Sequence, residues 1–391
     1  MVQQNKITQR SERKPSPVPL ATSSKKSKIG KRFKWLRFAD GDVKHWLESA
    51  QTKSSHLPSR RVPSSTKTHP FYNNVYALSD GNCRYSLRFW KADIVRLHKA
   101  LKREEDYKLP SRVRVDGVEG ICVMQHRLAY PGRYGGLAVM FGRSPTALCL
   151  IFRLMVNLMY AKYARLLALD LRAGYIRKES PIKRCIVFID GTVRAIARPA
   201  RDQRECYNGH KCKHALKFQG VLAPDGIFID FYGPVVGRRR HDIYLLRESR
   251  ILQRLQTAHS EAYCLFGDPA YSNTPNLQVG YKGSRLSRDQ EAFNAAMSVV
   301  RVAVEYGFGG VTRLWPYVNI KVSSKLLLSP IGKYYLVAAL LTNFRNCANP
   351  NQIRGVFGVK SPTLQVYIAL LASTEAESSH NVNRRHALIT L

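Results

Sequence analysis

Hydrophobic residues recur with different periods along this chain, and the change of period divides it into parts. Residues 1–68 contain few periodic apolar positions and are rich in Ser, Pro, Lys and Arg, a composition that predicts a largely disordered region. From Phe89 to Lys102 apolar residues recur at helical spacing, and a second helix is predicted from about Gly120 to Tyr130. We therefore predict a helical region over 69–175 after the basic segment.

A helix-turn-helix pattern occurs within this helical region. A short helix is predicted over 134–141, after which Ser144 is a good N-cap and Pro145 suits the first turn of the next helix. In a helix-turn-helix, Arg143 and Thr146 would lie near the DNA groove. A plain helical bundle gives the same pattern, so both interpretations stay open.

Beyond residue 176 the apolar runs are shorter and typical of β-strands. The turn signal Ala223-Pro224-Asp225-Gly226 predicts a hairpin. A helix over 242–255 separates the last two of the predicted strands, which cover residues 184–190, 216–222, 227–232 and 263–266. This order is that of a ribonuclease-H-like domain, placed at 176–372, with a flexible tail over 373–391. The predicted fold class is α/β: a ribonuclease-H-like mixed sheet with flanking helices, preceded by a small helical, helix-turn-helix-like region.

Three acidic residues fall at informative places in this pattern. Asp190 ends the first predicted strand and Asp268 follows the fourth. Because these strands are neighbours in a ribonuclease-H-like sheet, we expect the two carboxylates to meet at one edge. Glu305 lies on the polar stripe of an amphipathic helix predicted over 290–308, which Gly307 and the glycines after it should end. An exposed ion pair with Arg301 is an equally good explanation of Glu305.

The charge of the chain suggests what these acids act on. Lys and Arg number 63 against 27 Asp and Glu, a net charge of +36, which indicates a polyanionic partner, with nucleic acid favoured over a membrane. The basic cluster at 25–34 is typical of a nuclear import signal, a nucleic-acid arm or a solvated tail. Phosphate-facing positions are predicted at Lys211, Lys213, Lys217, Arg238, Arg239, Arg240 and Arg301, and a solvated loop is the alternative for Arg238–Arg240.

Two metals are conceivable from the residue types. Asp190, Asp268 and Glu305 offer the oxygen ligands that Mg²⁺ prefers, next to a phosphodiester. A set of thiols and imidazoles suggests a zinc site. We reject a zinc site as the main interpretation, because the spacing of these residues fits no standard structural zinc pattern. The members of the set are Cys206, His210, Cys212 and His214.

Two acidic motifs follow one another along the chain, Phe188-Ile189-Asp190-Gly191-Thr192 and Gly267-Asp268-Pro269-Ala270-Tyr271. They resemble the first and second catalytic motifs of the Harbinger-type (PIF/Harbinger) transposases of the DDE superfamily, and the resemblance covers roughly residues 85–370. The third is matched by Phe293-Asn294, Arg301, Val304-Glu305 and Phe308-Gly309. Further matches are Tyr207 to His214, Gly237 and His241-Asp242, whereas Val193 departs from the His of many relatives.

The resemblance implies a nuclear DNA endonuclease and strand transferase that cuts phosphodiester bonds at transposon ends. It implies that Asp190, Asp268 and Glu305, with Glu305 preferred over Glu291, hold Mg²⁺ (or Mn²⁺), as two ions. Double-stranded DNA is the expected partner, and a separate Myb-like DNA-binding protein and a homo-oligomer stay open. The alternatives are a domesticated DNA-binding factor that keeps the fold without catalysis, and an RNA-processing nuclease of the same fold.

Overall fold

A computed structural model of the protein describes residues 78–101, 106–109, 113–168, 185–238, 241–259, 263–321, 324–326 and 328–378. The predicted disordered region at 1–68 lies outside these residues, as do Arg239 and Arg240. The last described helix runs to Ser378, so the remainder of the predicted tail, 379–391, also lies outside them.

The chain first builds a helical region. Its elements in order are α1 (Asp80–Leu87), α2 (Lys91–Ala100), β1 (Asp106–Lys108), β2 (Arg114–Asp116), α3 (Gly117–Ala129), α4 (Tyr134–Phe141) and α5 (Pro145–Tyr163). The predicted cap of α5 is confirmed, because the Ser144 hydroxyl accepts a hydrogen bond of 3.2 Å from the Ala147 N–H. Gly142 at φ 61° makes the tight turn before it, a conformation that glycine adopts without steric cost.

Helix α5 is strongly apolar. Among the described residues, the segment Pro145–Leu167 is long and apolar enough to cross a membrane by length and composition. Its apolar face nevertheless packs inside the protein: Ile151, Phe152 and Met155 are fully buried, and the helix contacts α3 and α4. Core helices with this composition occur in globular domains as well.

The second part is built on a mixed sheet with the strand order β4-β5-β3-β7-β8, to which β6 adds beside β5. The strands are β3 (Cys185–Ala195), β4 (Tyr207–Asn208), β5 (Lys213–Leu222), β6 (Phe228–Val236), β7 (Cys264–Gly267) and β8 (Leu277–Val279). β3 pairs antiparallel to β5 and parallel to β7. The predicted adjacency of the first and fourth strands is thus confirmed, and so is the hairpin of β5 and β6.

Two predicted boundaries in this sheet region are wrong. β3 does not end at Asp190 but continues to Ala195, because its antiparallel ladder with β5 extends to the pair Ala195↔Ala215. The single helix predicted over 242–255 is two helices, α7 (Asp242–Ser249) and α8 (Ile251–His259). Arg250 between them adopts a left-handed conformation at φ 54°, which breaks the helix.

The long helix α9 (Arg288–Leu314) packs against β3 and β5 and runs further than predicted. The glycines expected to end it lie inside it instead. At Gly307 an added Cβ would be 3.0 Å from the Phe228 ring and 3.1 Å from a Leu222 methyl, so glycine is needed there for close packing on β5 and β6. A local sequence rule for helix ends is therefore overridden by tertiary contact.

The remaining helices close the core. They are α6 (Gln203–Cys206), α10 (Ile331–Ala348), α11 (Gln352–Phe357) and α12 (Leu364–Ser378). α10 is buried along most of its length and contacts α5, α9 and β6. Fully buried Asn343 hydrogen-bonds both the N–H and the carbonyl of Phe228, at 2.9 and 2.8 Å. These bonds hold α10 against β6, so the helical region and the sheet share one hydrophobic core.

Candidate active site

Asp190 and Asp268 occupy equivalent positions on neighbouring strands. Ile189 of β3 is paired with Gly267 of β7 in a parallel register, and each aspartate is the next residue along its chain. Each carboxylate is oriented by backbone: Oδ1 of Asp190 accepts from the Gly191 N–H at 2.7 Å, and Oδ1 of Asp268 accepts from the Ala270 N–H at 2.6 Å. The sheet itself therefore brings the two predicted acids to one edge.

Helix α9 carries the third acid to the same place. The Arg301 Nη2 atom lies 2.8 Å from Oδ2 of Asp268 and 3.4 Å from Oε1 of Glu305. One guanidinium nitrogen thus contacts both carboxylates. Glu291 is exposed in the first turn of α9, about 21 Å along the axis from Glu305 at 1.5 Å per residue. Glu305 is consequently the helix carboxylate beside Asp268.

The electrostatic environment makes Asp190 the unusual member of the group. Burial raises the pKa of its carboxyl to about 6. The Gly191 N–H and the Arg301 charge lower the pKa, whereas the nearby carboxylates of Asp242 and Asp268 raise it. Crowded, partly desolvated negative charges disfavour one another. A cation placed among them would be stabilised for the same reason.

A further acid, Asp242, belongs to this site and was given no role from sequence, although His241-Asp242 matched a family motif. Its carboxylate packs against Gly191, where a Cβ would come within 2.5 Å of Oδ1. Lys217 Nζ lies 3.6 Å from that same oxygen. Glycine after Asp190 is therefore what allows the start of α7 to approach β3. The Asp-Gly pair at 190–191 was the feature of the sequence that could have indicated this close approach, but the same pair is equally typical of a turn.

Tyr271 is another residue that sequence reasoning left without a role. Its side chain is fully buried and packs on Gly267, where a Cβ would be 2.8 Å from the ring. Burial raises the pKa of its hydroxyl, and the carboxylates of Asp242, Asp190 and Asp268 raise it further. The hydroxyl has no hydrogen-bond partner among the described residues. It remains protonated and borders the acidic cluster.

The donor set suits a hard divalent cation. Asp190, Asp268 and Glu305 supply carboxylate oxygens, the ligands that Mg²⁺ and Mn²⁺ prefer, and their mutual repulsion would be relieved by the ion. Arg301 places one positive charge beside Asp268 and Glu305. Within the described ranges no group of three or more His, Cys, Asp or Glu side chains has the geometry to hold a metal ion. Metal binding would therefore require the carboxylates to draw closer together.

Several predicted DNA-contacting residues are engaged in ion pairs within the fold. Arg143 binds Glu119, which is buried, through two hydrogen bonds of 2.6 Å. Arg238 pairs with Glu205. Lys217, only 13% exposed, pairs with Asp242. The structure thus gives each of these three cations an internal partner.

The other predicted contacts lie on different elements of the fold. Lys211 is exposed in the turn before β5, and Lys213, the first residue of that strand, is half-buried. Thr146 is exposed in the first turn of α5. Arg301 contacts the acidic cluster and its side chain is 37% exposed. The phosphate-facing roles of these residues stay predictions.

Comparison with known proteins agrees with this geometry. Residues 189–343 match the family model described as DDE superfamily endonuclease, a span that contains Asp190, Asp268 and Glu305. The "Probable transposase for insertion sequence element IS702" of Microchaete diplosiphon is 24% identical over 226 residues, covering 56% of this chain and 76% of that protein. No solved structure gives a significant match. Residues 189–343 are therefore similar to a DDE superfamily endonuclease domain, and the chain has weak similarity to a transposase.

Proposed function

We propose that this protein is a Harbinger-type transposase that cuts phosphodiester bonds at the ends of its own DNA element, with Mg²⁺ or Mn²⁺ as cofactor. One observation carries the proposal. Carboxylates from two distant parts of the chain, Asp268 and Glu305, contact the same nitrogen of Arg301, and Asp190 lies in the adjacent register position. Such a cluster of acids in a chain of net charge +36 suits a polyanionic substrate and a bridging cation.

The chemistry explains the residue types. Bound divalent ions, two in our proposal, would supply charge that stabilises the attacking and leaving oxygens of the phosphodiester. Asp190, Asp268 and Glu305 would hold them. In the first step a water oxygen forms a bond to phosphorus, the P–O3′ bond breaks, and the water's proton leaves to solvent while the 3′ oxygen takes one up. In the second, the freed 3′ hydroxyl oxygen forms a bond to a phosphorus of target DNA and its proton leaves to solvent. The P–O3′ bond of the target breaks at the same phosphorus, and the leaving 3′ oxygen takes up a proton.

The other residues of the site position these groups. Backbone N–H groups of Gly191 and Ala270 each fix one carboxylate oxygen of an aspartate, which leaves the second oxygen for a ligand. Arg301 offsets part of the negative charge of Asp268 and Glu305, and it would be free to contact a phosphate if a cation took over these carboxylates. Preorganised charge of this kind is the main source of stabilisation in enzyme sites.

The wider setting is part of the same proposal. Double-stranded DNA is the substrate, the basic cluster at 25–34 directs the protein to the nucleus, and a Myb-like protein or a second copy of the chain assists end recognition. The domain boundaries proposed are 1–68, 69–175, 176–372 and 373–391. The basis is the composition of the chain and the family resemblance.

A second candidate function is a DNA-binding factor that keeps the fold without catalysis. The observation that favours it is the Arg301 bridge, since one guanidinium nitrogen contacts both Asp268 and Glu305 and gives these acids a positively charged partner within the protein. The two functions make opposite predictions for divalent metal. In a catalytic protein, Asp268 and Glu305 should exchange their contact with Arg301 for the ion. In a DNA-binding factor, the contact with Arg301 should persist and the ion should not bind.

The test compares wild type with Asp268→Asn on a duplex that contains the element's terminal sequence. We expect strand cleavage by wild type with Mg²⁺ or Mn²⁺, none with EDTA, and none by the variant, while both bind the duplex equally. Asp289→Asn is the matched control, because Asp289 loses the same charge in the exposed first turn of α9. Equal cleavage by wild type and Asp268→Asn would refute the assignment. Metal-independent binding without cleavage by any variant would establish the second function.

A further inference from the structure

Four arginines at the ends of three helices lie close together, and we call them the arginine patch: Arg84, Arg88, Arg313 and Arg345. Arg84 is in the last turn of α1, Arg88 caps that helix, and the other two lie in the last turns of α9 and α10. Nε of Arg345 donates to the Arg88 carbonyl at 3.1 Å, and Nε of Arg88 donates to the Leu314 carbonyl at 3.3 Å. These hydrogen bonds fix the positions of the Arg88 and Arg345 side chains within the fold.

The positive charge of the patch has little internal compensation. None of its four members forms an ion pair with a carboxylate in the described part of the chain. The nearby acid is Asp93, which is buried and already bound by Arg96 and by the Asn349 side chain at 3.0 Å. Like charges gathered at a half-buried position repel one another. An anion from outside would relieve that repulsion.

The titration of Arg345 reflects this crowding. Burial lowers the pKa of its guanidinium from the ordinary value, and the charges of the other three arginines lower it further. Asp93 acts in the opposite direction. Compensation by Asp93 is thus incomplete, in agreement with the arrangement of the ion pairs.

Aromatic rings complete the surface. The Arg84 guanidinium lies 4.5 Å above the Trp90 ring and that of Arg88 4.8 Å above Tyr130, which holds both guanidinium planes in defined orientations. Tyr85 is 68% exposed and its ring centroid is 5.6 Å from that of Tyr130. Rigid arginines beside an exposed tyrosine present both a phosphate-binding fork and a flat apolar contact.

The backbone of Arg88 is a second sign that its side chain matters. Arg88 is the helix cap of α1 at φ 67°, a left-handed conformation in which glycine is the usual residue. An arginine occupies this position despite the steric cost of a Cβ. Its guanidinium contacts α1 and the end of α9, so it fixes the geometry of the patch.

The position of the patch relates it to the acidic cluster. Arg313 lies on the same helix as Glu305, just over two turns further along, or about 12 Å at 1.5 Å per residue. B-DNA rises about 3.4 Å per base pair, so this distance along the helix corresponds to about three or four base pairs. A duplex whose backbone reaches the acids is therefore long enough to reach the patch as well.

We propose that the arginine patch is a phosphate-binding surface that grips the backbone of duplex DNA a few base pairs from the acidic cluster. This inference rests on the proposed function, since it takes the same DNA as substrate. Arginine forks match phosphate geometry in a way that a diffuse basic surface does not. An acidic protein is the competing partner, and the experiment below separates the two.

The experiment measures binding of a short random-sequence DNA duplex in EDTA, as a function of salt. Arg84→Gln with Arg313→Gln removes two exposed charges and leaves the buried contacts of Arg88 and Arg345 in place. We expect weaker binding and a log–log salt slope that falls by about 0.9 for each phosphate that is no longer neutralised. Lys99→Gln with Lys360→Gln, two exposed lysines on other elements, is the control of equal charge and should leave the slope nearly unchanged.

A conservative variant guards against a folding artefact. Arg84→Lys with Arg313→Lys keeps both charges, so it should keep most of the salt slope, and circular dichroism should show native melting for all variants. The proposal is overturned if the double Arg→Gln variant and the double Lys→Gln control have the same effect. It is also overturned if the double Arg→Gln variant loses binding to polyglutamate but not to DNA, which would indicate an acidic protein partner. A wild type that binds no DNA would instead refute the proposed function itself.

Discussion

Nη2 of Arg301 lies 2.8 Å from Oδ2 of Asp268, and this contact joins helix α9 to the residue that follows strand β7. The same nitrogen is 3.4 Å from Glu305. Two predicted metal-binding carboxylates are thus held together by a protein cation. One guanidinium charge offsets only part of the charge of two carboxylates, so a divalent ion held by the same acids in exchange for Arg301 would compensate them more fully than Arg301 does.

Replacing Arg301 with Gln should expose this exchange. We expect the metal-free variant to lose about 1 kcal/mol of stability at neutral pH, since these partly exposed carboxylates lose their counterion. Added Mg²⁺ should then stabilise the variant more than it stabilises wild type. Thermal melting with and without Mg²⁺ measures both effects, and Arg301→Lys should behave like wild type. If Mg²⁺ raises the melting temperature of all three proteins equally, arginine and metal do not share these ligands.

The raised pKa of Asp190 predicts a pH dependence with a definite sign. Its folded-state pKa is about 6 and the unfolded value is about 3.9, so the folded state holds more protons between the two. The tighter proton binding of the folded state stabilises it. This contribution to the free energy of unfolding is fully present below about pH 4 and is lost as pH rises through about 6. Asp190→Asn lacks this loss, so in EDTA it should be more stable than wild type by about 2 kcal/mol near pH 8 and no different near pH 4.

Urea denaturation at both pH values checks this prediction. Asp289→Asn, at an exposed acid far from the site, should differ from wild type by the same amount at the two pH values. A stability advantage of Asp190→Asn that is present near pH 4 and absent near pH 8 would contradict the sign derived above.

The continuity of α9 can be tested at its glycines. Gly309 is exposed and has nothing within 4 Å of an added Cβ, so Gly309→Ala should stabilise the protein by about 0.5–1 kcal/mol, as expected inside a helix. Gly307→Ala should instead destabilise it by about 1–2 kcal/mol, because the methyl would crowd Phe228 and Leu222. The melting temperatures of the two variants test whether α9 is continuous through its glycines. A destabilising Gly309→Ala would mean that the helix ends at the glycines.

Asn343 should be among the most sensitive core positions. Its side chain satisfies the N–H and carbonyl of Phe228 and donates to the Tyr367 hydroxyl at 2.8 Å. Asn343→Ala leaves buried polar groups without partners and should cost about 3 kcal/mol of unfolding free energy. Tyr367→Phe removes only the hydroxyl and should cost about 1 kcal/mol. Chemical denaturation of the two variants gives the comparison, and equal losses would show that the bonds to Phe228 contribute little.

The order of the elements could be predicted from local pattern. The apolar runs, the turn before Ile227 and the cap at Ser144 act over a few residues, so their effect is readable in the chain itself. The neighbouring placement of Asp190 and Asp268 followed from strand order, because parallel neighbours align their ends. The choice of Glu305 came from the family resemblance, since its spacing fits an ion pair with Arg301 equally well, and the roles of Asp190, Asp268 and Glu305 stay predictions. The Harbinger subtype, the metal and the cellular location stay predictions as well.

What the chain alone could not show was every feature that depends on contact between distant segments. The continuation of β3 past Asp190 comes from its ladder with β5, and the continuation of α9 past Gly307 comes from packing on Phe228. The entry of Asp242 into the acidic cluster likewise requires α7 to lie on β3. Local propensities amount to less than about 1 kcal/mol per residue, so ladders and packing override them wherever segments far apart in sequence meet in the folded protein.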